Sequence, residues 1–516
     1  MHRSSILSFF ALVASLLAID CSREHYHFPD PLQPATAGAF VVREGTVTVN
    51  SREYAADFGT ITVSENRENN TSGLIHLPVV RIRARASHPQ EPIFGLAGGP
   101  GMSNLLCAPI DTLLAHRDFV LVGYRGVDGS RVLDCPEVSE ELKEVGDPLS
   151  EGSLKSIGSA WARSFRRMEA QGIDLKGYTI PQTVEDMEEV RRALKYERID
   201  LLSESYGTRV AYLYARMHPE VLCRSIMIGA NPPGHFIWDP DTVDAQIRYY
   251  SQLWSQDSIM SGRCPDLAAT MQRVLHSLPE RWLFLSIDPG RVKVVVFALL
   301  FQRRTAAMVF DAIVAADRGD YSGLALMSLA FDYVVPSMFV WGDLALKAVN
   351  ADYDSLSTDA VRSEAPGRIL GSPLGTLLWG PLRYSNLPLT EHSREPGTEG
   401  PSGVETLILS GSVDFSTPPV FATKEFLPRL RNGNQIILAE YGHVGDIRSL
   451  RPALFTQLTA SYFNSGVVDV STIDYVPMDF QVDWGFPMLA KVGLGGVVMV
   501  FALLLAGLVW VVRKLI

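Results

Sequence analysis

Hydrophobic and polar residues alternate along the first part of the chain in the manner of β-strands. The alternation runs from Phe40 to Ala86 and includes the stretches TVTVN, GTITVS and VVRIRARA, with the polar turn ENRENNTSG between two of them. A period of two arises when a strand buries one face and leaves the other polar. We therefore expect the fold to begin with antiparallel strands.

The pattern then changes to short apolar runs separated by glycine-rich turns and helical stretches. Residues 94–97 lead into a GGPG turn, residues 118–122 lead into GYRG, and the run RIDLLS follows a helical stretch that we predict to begin at Thr183. Short buried strands that alternate with helices are typical of a parallel sheet wrapped by helices. The predicted fold class is therefore α/β, with a mostly parallel sheet flanked by helices.

A long helical region interrupts this alternation. Residues 235–398 show helical spacing without a clear strand, as in AQIRYYSQLW, AATMQRVLHSL, VVVFALLFQ and AMVFDAIVAA, and strand-like runs resume at VETLILSG and QIILAE. We predict an α/β core in two parts, residues 40–234 and 399–465, with residues 235–398 inserted between them as a helical cap.

The two ends of the chain carry different apolar segments. Residues 6–19 follow a short basic start and suit the apolar centre of a secretory signal peptide within residues 1–22. Lipidation of Cys21 is an alternative that stays open, although Asp20 occupies a position where that cleavage requires a small residue. The expected consequence of the signal is export.

Residues 492–512 carry no charge and are flanked by Lys491 on one side and by Arg513 and Lys514 on the other. This length spans a bilayer, and basic residues after the span favour a cytoplasmic tail. We expect a single-pass membrane protein whose main part is extracytoplasmic, either periplasmic or on the cell surface.

Composition and charge narrow the function. The chain is 47% hydrophobic and 20% charged, as in folded proteins with a large core, and its formal net charge of -11 argues against nucleic acid as a partner. None of the five cysteines has metal-ligand spacing such as C-x-x-C, so no metal site is expected. Disulfide pairing stays open: Cys223 is predicted to be a buried thiol, and Cys135 could pair with Cys264 or Cys107.

Ser205 lies at the centre of the pentapeptide SESYG, between the run RIDLLS and a helical stretch that begins TRVAYLYARMHPE. A strand, a sharp turn and a helix in this order expose a serine hydroxyl, as in the nucleophile elbow G-x-S-x-G. Ser203 replaces the first glycine of that pattern and is small enough for the turn. We predict Ser205 as nucleophile, and an ordinary serine-rich turn is the alternative.

A serine hydroxyl needs a base to take its proton and a group that orients the base. Asp414 follows the run TLILSG, and His443 follows the run QIILAE. Both therefore lie at predicted carboxyl ends of strands, where open α/β sheets place their active sites. We predict His443 as base and Asp414 as orienting acid, with Asp446 as a competitor that only caps a helix.

Backbone N–H groups are suited to stabilise the oxyanion of the tetrahedral intermediate, because they are fixed before the reaction. Two sources follow from the sequence. One is Tyr206, directly after the nucleophile, and the other is the GGPG turn, in which Gly99 is the favoured donor. Glycines allow the backbone to approach a substrate closely.

Taken together, these motifs resemble the prolyl and tripeptidyl aminopeptidase family of α/β-hydrolases. The resemblance rests on FGTITVS, GGPG, DFVLVGYRGVDGS with LDCP, TVEDMEEVRRAL, SESYGTRVAYLYARMHPE, GSVDFSTPP and AEYGHVGD, in this order, and covers most of residues 40–461. It implies an α/β-hydrolase fold and cofactor-free release of short N-terminal units from peptides, under a cap that limits substrate length.

The sequence departs from this family where substrate is recognised. Ala97 replaces a histidine that often precedes GGPG, and the GYRG segment lacks an aspartate common in similar enzymes. An aminopeptidase also needs an acid for the substrate's α-ammonium, and Glu204, Asp352 and several cap acids are candidates. An esterase or amide hydrolase of small molecules, and a non-catalytic membrane scaffold, therefore remain alternatives. The oligomeric state is not predicted.

Overall fold

The computed structural model describes residues 36–352, 367–387, 400–471 and 473–496. Nine of the eleven described strands form one sheet in the order β1-β2-β3-β5-β4-β6-β7-β10-β11, and β8 and β9 form a separate two-stranded sheet. The strands are β1 (Phe40–Val49), β2 (Arg52–Ser64), β3 (Leu74–Ile82), β4 (Gln90–Leu96), β5 (Arg117–Val122), β6 (Ile199–Glu204), β7 (Leu222–Ile228), β8 (Arg281–Trp282), β9 (Leu285–Ser286), β10 (Glu405–Gly411) and β11 (Gly433–Leu438).

Helices cover the sheet and fill the region between β7 and β10. In chain order they are α1 (Pro136–Glu144), α2 (Glu151–Ala170), α3 (Ile180–Ala193), α4 (Tyr206–Met217), α5 (Pro240–Gln256), α6 (Ser258–Arg263), α7 (Leu267–Leu275), α8 (Pro289–Leu299), α9 (Arg303–Asp317), α10 (Ser322–Val334), α11 (Trp341–Asp352), α12 (Pro373–Trp379), α13 (Pro419–Phe421), α14 (Val444–Ser449) and α15 (Pro452–Ser465). A last helix begins at residue 486 and is described to residue 496.

The direction of the strands follows the two sequence patterns. β1, β2 and β3 pair antiparallel, and β3 pairs antiparallel with β5. From β5 through β4, β6, β7 and β10 to β11 all pairs are parallel. The inner parallel strands are buried on both faces, as β5 shows with all six residues buried, which explains their continuous apolar runs. The edge strand β11 is only partly buried. The predicted α/β class with a mostly parallel sheet is confirmed.

The helix before β6 begins earlier than predicted. α3 begins at Ile180, and Thr179 is its N-cap, whose side chain accepts a hydrogen bond from the Gln182 N–H. Pro181 lies in the first turn, where its missing N–H costs nothing. Thr183, the predicted cap, instead lies inside the helix and donates its hydroxyl to the Thr179 carbonyl.

Three further expectations change. The region between β7 and β10 contains the two-residue strands β8 and β9, although its sequence showed no clear strand. Among the described residues none of Cys107, Cys135, Cys223 and Cys264 forms a disulfide, so the suggested pairs of Cys135 are wrong. Cys223 is half-buried and not fully buried as expected.

Parts of both terminal predictions lie outside the described residues. These are the signal segment with Cys21, and residues 497–512 of the expected membrane span. Within the described ranges, no single helix is long and apolar enough to cross a bilayer; the pair Ser322–Ser337 and Trp341–Ala348, bent by 78°, meets that requirement only as a pair.

The GYRG segment after β5 is held by a buried arginine. Arg125 is fully buried, pairs with Asp186 of α3 at 2.6 Å, and donates to the carbonyls of Glu65 and Gly177 at 2.6 Å each. A buried guanidinium needs such complete pairing, because an unsatisfied buried charge is costly. Arg125 therefore joins the β5 turn to α3 and to the end of β2.

Candidate active site

Ser205 lies in a sharp turn between β6 and α4. Its backbone has φ 51° and ψ −119°, which an L-residue rarely adopts. The Ser205 N–H donates to the Ile228 carbonyl at 2.9 Å, and the Thr208 hydroxyl donates to the Ser205 carbonyl at 2.6 Å. These bonds hold the strained turn, and the side chain of Ser205 remains partly exposed at the carboxyl end of the sheet.

Small residues on both sides of Ser205 make this turn possible. A Cβ at Gly207 would lie 2.3 Å from the Leu96 carbonyl oxygen, so only glycine fits against the end of β4. Ser203, which replaces the usual glycine, is fully buried, and its hydroxyl donates to the Ile226 carbonyl at 3.0 Å. The substitution is therefore accommodated by a hydrogen bond to the neighbouring strand.

Asp414 and His443 meet after β10 and β11. The Nδ1 atom of His443 lies 2.8 Å from Oδ2 of Asp414, which is fully buried, whereas the imidazole is 13% exposed. Oδ1 of Asp414 accepts the backbone N–H groups of Ser416 and Thr417 at 2.8 and 2.9 Å. A carboxylate with these partners is suited to fix the tautomer of the imidazole and to stabilise an imidazolium.

Ser205 and His443 both lie against the end of β7. The Ser205 N–H binds the last residue of β7, and the imidazole packs on the next residue, where a Cβ added to Gly229 would lie 2.9 Å from Cε1 of His443. No hydrogen bond joins Ser205 Oγ to His443 within the described site. Such bonds are often long in enzymes without substrate and shorten in the complex.

The GGPG turn packs against the elbow. A Cβ at Gly98 would lie 3.2 Å from the Cβ of Ser205, and Gly99 has a positive φ of 128°. Asn104 fixes the base of this turn, because its side chain accepts the Ala97 N–H at 2.7 Å and donates to the carbonyls of Gly95 and Val122. Tyr206 directly follows Ser205, and Gly98 is the residue of the turn that packs on Ser205. The assignment of Gly99 and Tyr206 as oxyanion donors stays a prediction.

The acids suggested for binding a substrate amine both have cationic partners. Glu204 pairs with Arg448 of α14, and Asp352 pairs with the buried Arg209 of α4 at 3.0 Å. Burial acts to raise the pKa of Asp352, but Arg209 and two backbone N–H groups outweigh burial and lower it. Asp352 is therefore a charged carboxylate whose charge is already balanced by the guanidinium of Arg209.

Asp446, the competitor of Asp414, has a local structural role. Its Oδ2 accepts the backbone N–H groups of Arg303 and Gly442 at 2.9 and 3.0 Å, and burial raises its pKa. In the described site, its carboxylate makes no hydrogen bond to the imidazole of His443. It holds the loop of His443 against the start of α9.

Sequence reasoning did not identify two residues of this site. The Thr417 hydroxyl donates to Oδ2 of Asp414 at 2.8 Å and lies 3.3 Å from Nδ1 of His443, and Phe301 accepts the His443 backbone N–H at 2.8 Å. The spacing of Asp414 and Thr417 in DFST is a turn signal that could have indicated the first contact. The second depends on packing of the helical region and has no local signal.

A bound metal ion would need several ligating side chains placed close together. In the parts of the chain that the structure describes, no group of three or more His, Cys, Asp or Glu side chains is placed to hold a metal ion.

Comparison with known proteins identifies relatives of the matching region. The family model for the alpha/beta hydrolase fold matches residues 91–354. Tripeptidyl aminopeptidase of Streptomyces lividans is 26% identical over 283 residues, which are 52% of this chain and 47% of that protein. Serine protease Hip1 of Mycobacterium tuberculosis H37Rv is 26% identical over 205 residues, 36% of this chain and 38% of Hip1.

The chain thus spans about half the length of the aminopeptidase and less of Hip1. Among solved structures, the esterase EaEST from Exiguobacterium antarcticum aligns with 78% of this chain and 98% of its own, at 17% identity and a TM-score of 0.34.

The contact between Gly229 and His443 predicts a specific effect of a methyl group. We expect Gly229→Ala to push the imidazole of His443 away from Asp414, because the new Cβ would lie only 2.9 Å from Cε1 of the imidazole. The low-field imidazole N–H signal in proton NMR, which reports the hydrogen bond to Asp414, should disappear.

Gly172→Ala is the matched control, because Gly172 also has a positive φ but has nothing within 4 Å of an added Cβ. Both variants carry about 1–2 kcal/mol of backbone strain, so only the imidazole signal should separate them. A signal that persists in Gly229→Ala would show that the imidazole does not occupy the described position.

Proposed function

This chain belongs to the α/β-hydrolase fold family, and we propose that it is a serine hydrolase that cleaves peptide or amide bonds through an acyl-enzyme. The observation that carries the proposal is the strained elbow of Ser205 next to the hydrogen-bonded pair of Asp414 and His443. The aminopeptidase activity suggested by the sequence is the finer part of this proposal.

In the proposed mechanism, Ser205 Oγ attacks the carbonyl carbon of the scissile bond while His443 Nε2 takes the hydroxyl proton. The buried carboxylate of Asp414, 2.8 Å from Nδ1, stabilises the imidazolium that forms. The backbone N–H groups of Gly99 and Tyr206 stabilise the oxyanion. His443 then protonates the leaving amine. Water next attacks the acyl carbon while His443 takes a proton from the water, and the imidazolium returns that proton to Ser205 Oγ as the ester bond breaks and the carboxylic acid leaves.

Two observations support a peptide substrate with a short N-terminal unit. The similar proteins named above are a tripeptidyl aminopeptidase and a serine protease, each 26% identical in the matching region. The helices between β7 and β10 also contact the site directly, because Phe301 binds the His443 loop and Val340 binds Gly101. A site covered by helices admits chain ends more readily than the middle of a folded substrate.

A second candidate is an esterase or amide hydrolase of small molecules. It is favoured by the pairing of Glu204 with Arg448 and of Asp352 with Arg209, because both acids named for the substrate amine are already neutralised. A third candidate, a non-catalytic membrane scaffold, would not require an activated serine.

We also propose that the chain is anchored in a membrane through residues 492–512, with the hydrolase domain on the extracytoplasmic side. Support comes from the charge-free sequence of this segment and from the described helix 486–496 that leads into it. Met488 and Val492, one turn apart in this helix, are 44% and 52% exposed, and Trp484, just before the helix, is 55% exposed. Exposed tryptophan near an apolar span is typical of a membrane interface.

The nucleophile is tested by labelling with a fluorophosphonate, which reacts only with an activated serine. We expect the wild-type protein to be labelled and Ser205→Ala to lose labelling and all hydrolysis. Ser203→Ala is the control, because it removes a hydroxyl two residues away that only donates to the Ile226 carbonyl. Equal labelling of wild type and Ser205→Ala, or none of the wild type, would refute the proposal.

The substrate class is tested by comparing turnover of tripeptidyl and aminoacyl arylamides with that of a p-nitrophenyl ester of a short acid. A peptidase should hydrolyse an arylamide with a free amino terminus at least about tenfold faster than its N-acetylated form, since one lost charged hydrogen bond costs about 1.5–3 kcal/mol. Equal rates for the two arylamides, together with rapid ester hydrolysis, would favour the second candidate.

Membrane anchoring is tested by placing arginines in the apolar segment. Leu503→Arg with Leu504→Arg should move the protein from the carbonate-washed membrane pellet to the soluble fraction, because each arginine near the centre of a span costs about 2.5–3.5 kcal/mol. Ile259→Arg with Phe284→Arg adds the same charge at exposed sites and should leave the protein in the pellet. An unaltered distribution of the first variant contradicts the anchor.

A further inference from the structure

The helical region between β7 and β10 forms hydrogen bonds to the GGPG turn at one residue, Gly101. The Val340 N–H donates to the Gly101 carbonyl at 2.8 Å, and the Gly101 N–H donates to Oδ2 of Asp343 at 3.0 Å. Both backbone polar groups of Gly101 are therefore bound by the segment that begins α11. A Cβ at Gly101 would lie only 3.0 Å from the Val340 carbonyl oxygen, so this approach is close.

Asp343 is half of a fully buried ion pair. Lys347, one turn further along α11, places Nζ 2.8 Å from Oδ1 of Asp343, and neither side chain is exposed to solvent. The two oxygens of Asp343 are thus divided between the Gly101 N–H and the ammonium of Lys347. The pairing keeps the carboxylate available as an acceptor for Gly101 although it is completely buried.

Lys347 connects this pair to the rest of the site. Its Nζ donates to the Arg125 carbonyl at 3.1 Å and lies 5.2 Å from the ring centroid of Tyr124 and 6.0 Å from that of Tyr206. Tyr206 is the residue after the nucleophile and carries the second predicted oxyanion donor. One ammonium group therefore contacts the elbow, the β5 turn and α11.

Stability alone does not account for a buried ion pair at this place. Withdrawing two charges from water costs about as much as their attraction returns, and apolar side chains of similar volume are often as good or better for stability. An apolar pair, however, could not accept the Gly101 N–H in one defined direction. What the ion pair adds is the orientation of the turn.

We propose that Asp343 and Lys347 are positioning residues that hold the GGPG turn and Tyr206 in the arrangement that stabilises the oxyanion. Gly101 is two residues after Gly99, so the hydrogen bond from the Gly101 N–H to Asp343 sets the direction of the Gly99 N–H. This inference rests on the proposed function of Ser205. It makes α11 part of the catalytic apparatus, although neither side chain touches the substrate.

The test uses the double variant Asp343→Leu with Lys347→Met, which removes both charges together, so that neither is left buried without its partner. The matched control is Asp200→Leu with Arg117→Met, a second buried ion pair with a distance of 2.6 Å and side-chain exposures of 1% and 4%. Asp200 lies near the amino end of β6, five residues before Ser205 and at the opposite end of the strand from the elbow. Folded fraction, melting temperature and the rate constant of fluorophosphonate labelling per folded molecule are measured for both.

We expect the Asp343 and Lys347 double variant to stay folded, with a melting temperature lowered by the loss of the hydrogen bonds to Gly101 and Arg125. Each folded molecule should be labelled about 10²-fold more slowly, since a small misplacement of a catalytic group costs about this factor. For peptide hydrolysis, kcat should fall with little change in KM. Amide hydrogen exchange of residues 97–104 should become faster. The Asp200 and Arg117 control should be labelled within about twofold of the wild-type rate, because both residues lie outside the oxyanion turn that sets this rate.

The failure of this inference is distinguishable from the failure of the proposed function. Wild-type labelling and exchange in the double variant would overturn the positioning role while leaving Ser205 as nucleophile. An equal loss of labelling in the control would also overturn it, since the effect would then be general. A wild-type protein that is not labelled would refute the proposed function, and the positioning role with it.

Discussion

The structure of the site depends on the backbone of Ser205. A residue with a side chain at φ 51° costs about 1–3 kcal/mol, and such a conformation persists only where the surroundings impose it. Here the Ile228 carbonyl binds the Ser205 N–H, Thr208 binds its carbonyl, and Gly207 lets α4 approach β4 at a distance that no Cβ would permit. The turn directs the hydroxyl away from the sheet and leaves the Tyr206 N–H at the start of a helix.

The rest of the site is assembled from two sources. The parallel sheet brings the ends of β6, β7, β10 and β11 to one edge, so Ser205, Gly229, Asp414 and the His443 loop become neighbours in space. The helical region then contacts this edge at two points, Phe301 at the His443 loop and Asp343 at Gly101. Catalytic geometry in the proposed enzyme is therefore a property of the sheet and the inserted helices together.

Much of the fold was accessible from the sequence, because burial on both faces makes a parallel strand a continuous apolar run. This reason holds for β6 and β10, which precede Ser205 and Asp414. The strand before His443, β11, is only partly buried, but its apolar residues still predict it. All three residues follow strands in the structure. The predicted start of α3 at Thr183 is wrong because Thr179, four residues earlier, is the cap. Pro181, which is favoured in the first turn of a helix, indicates the earlier threonine. Local signals of this kind can be read once their mechanism is considered.

Contacts between residues distant in the chain could not be predicted. Gly101 and Asp343 are 242 positions apart, and Glu204 and Arg448 are 244 apart, so no pattern within one element indicates either contact. The suggestion that Glu204 and Asp352 bind a substrate amine failed to anticipate their arginine partners for the same reason. Pairing of charges is decided by packing, whereas strands and helices are decided largely by local periodicity.

The proposed roles of Ser205, His443 and Asp414 are tested most directly by a crystal structure of the protein after reaction with a fluorophosphonate. We expect phosphorus bound to Ser205 Oγ, with a phosphonyl oxygen about 2.7–3.1 Å from the N–H groups of Gly99 and Tyr206. The imidazole of His443 should lie between Ser205 and Asp414. Phosphorus on a different residue, or an imidazole that bonds to Asp414 but faces away from Ser205, would contradict these roles.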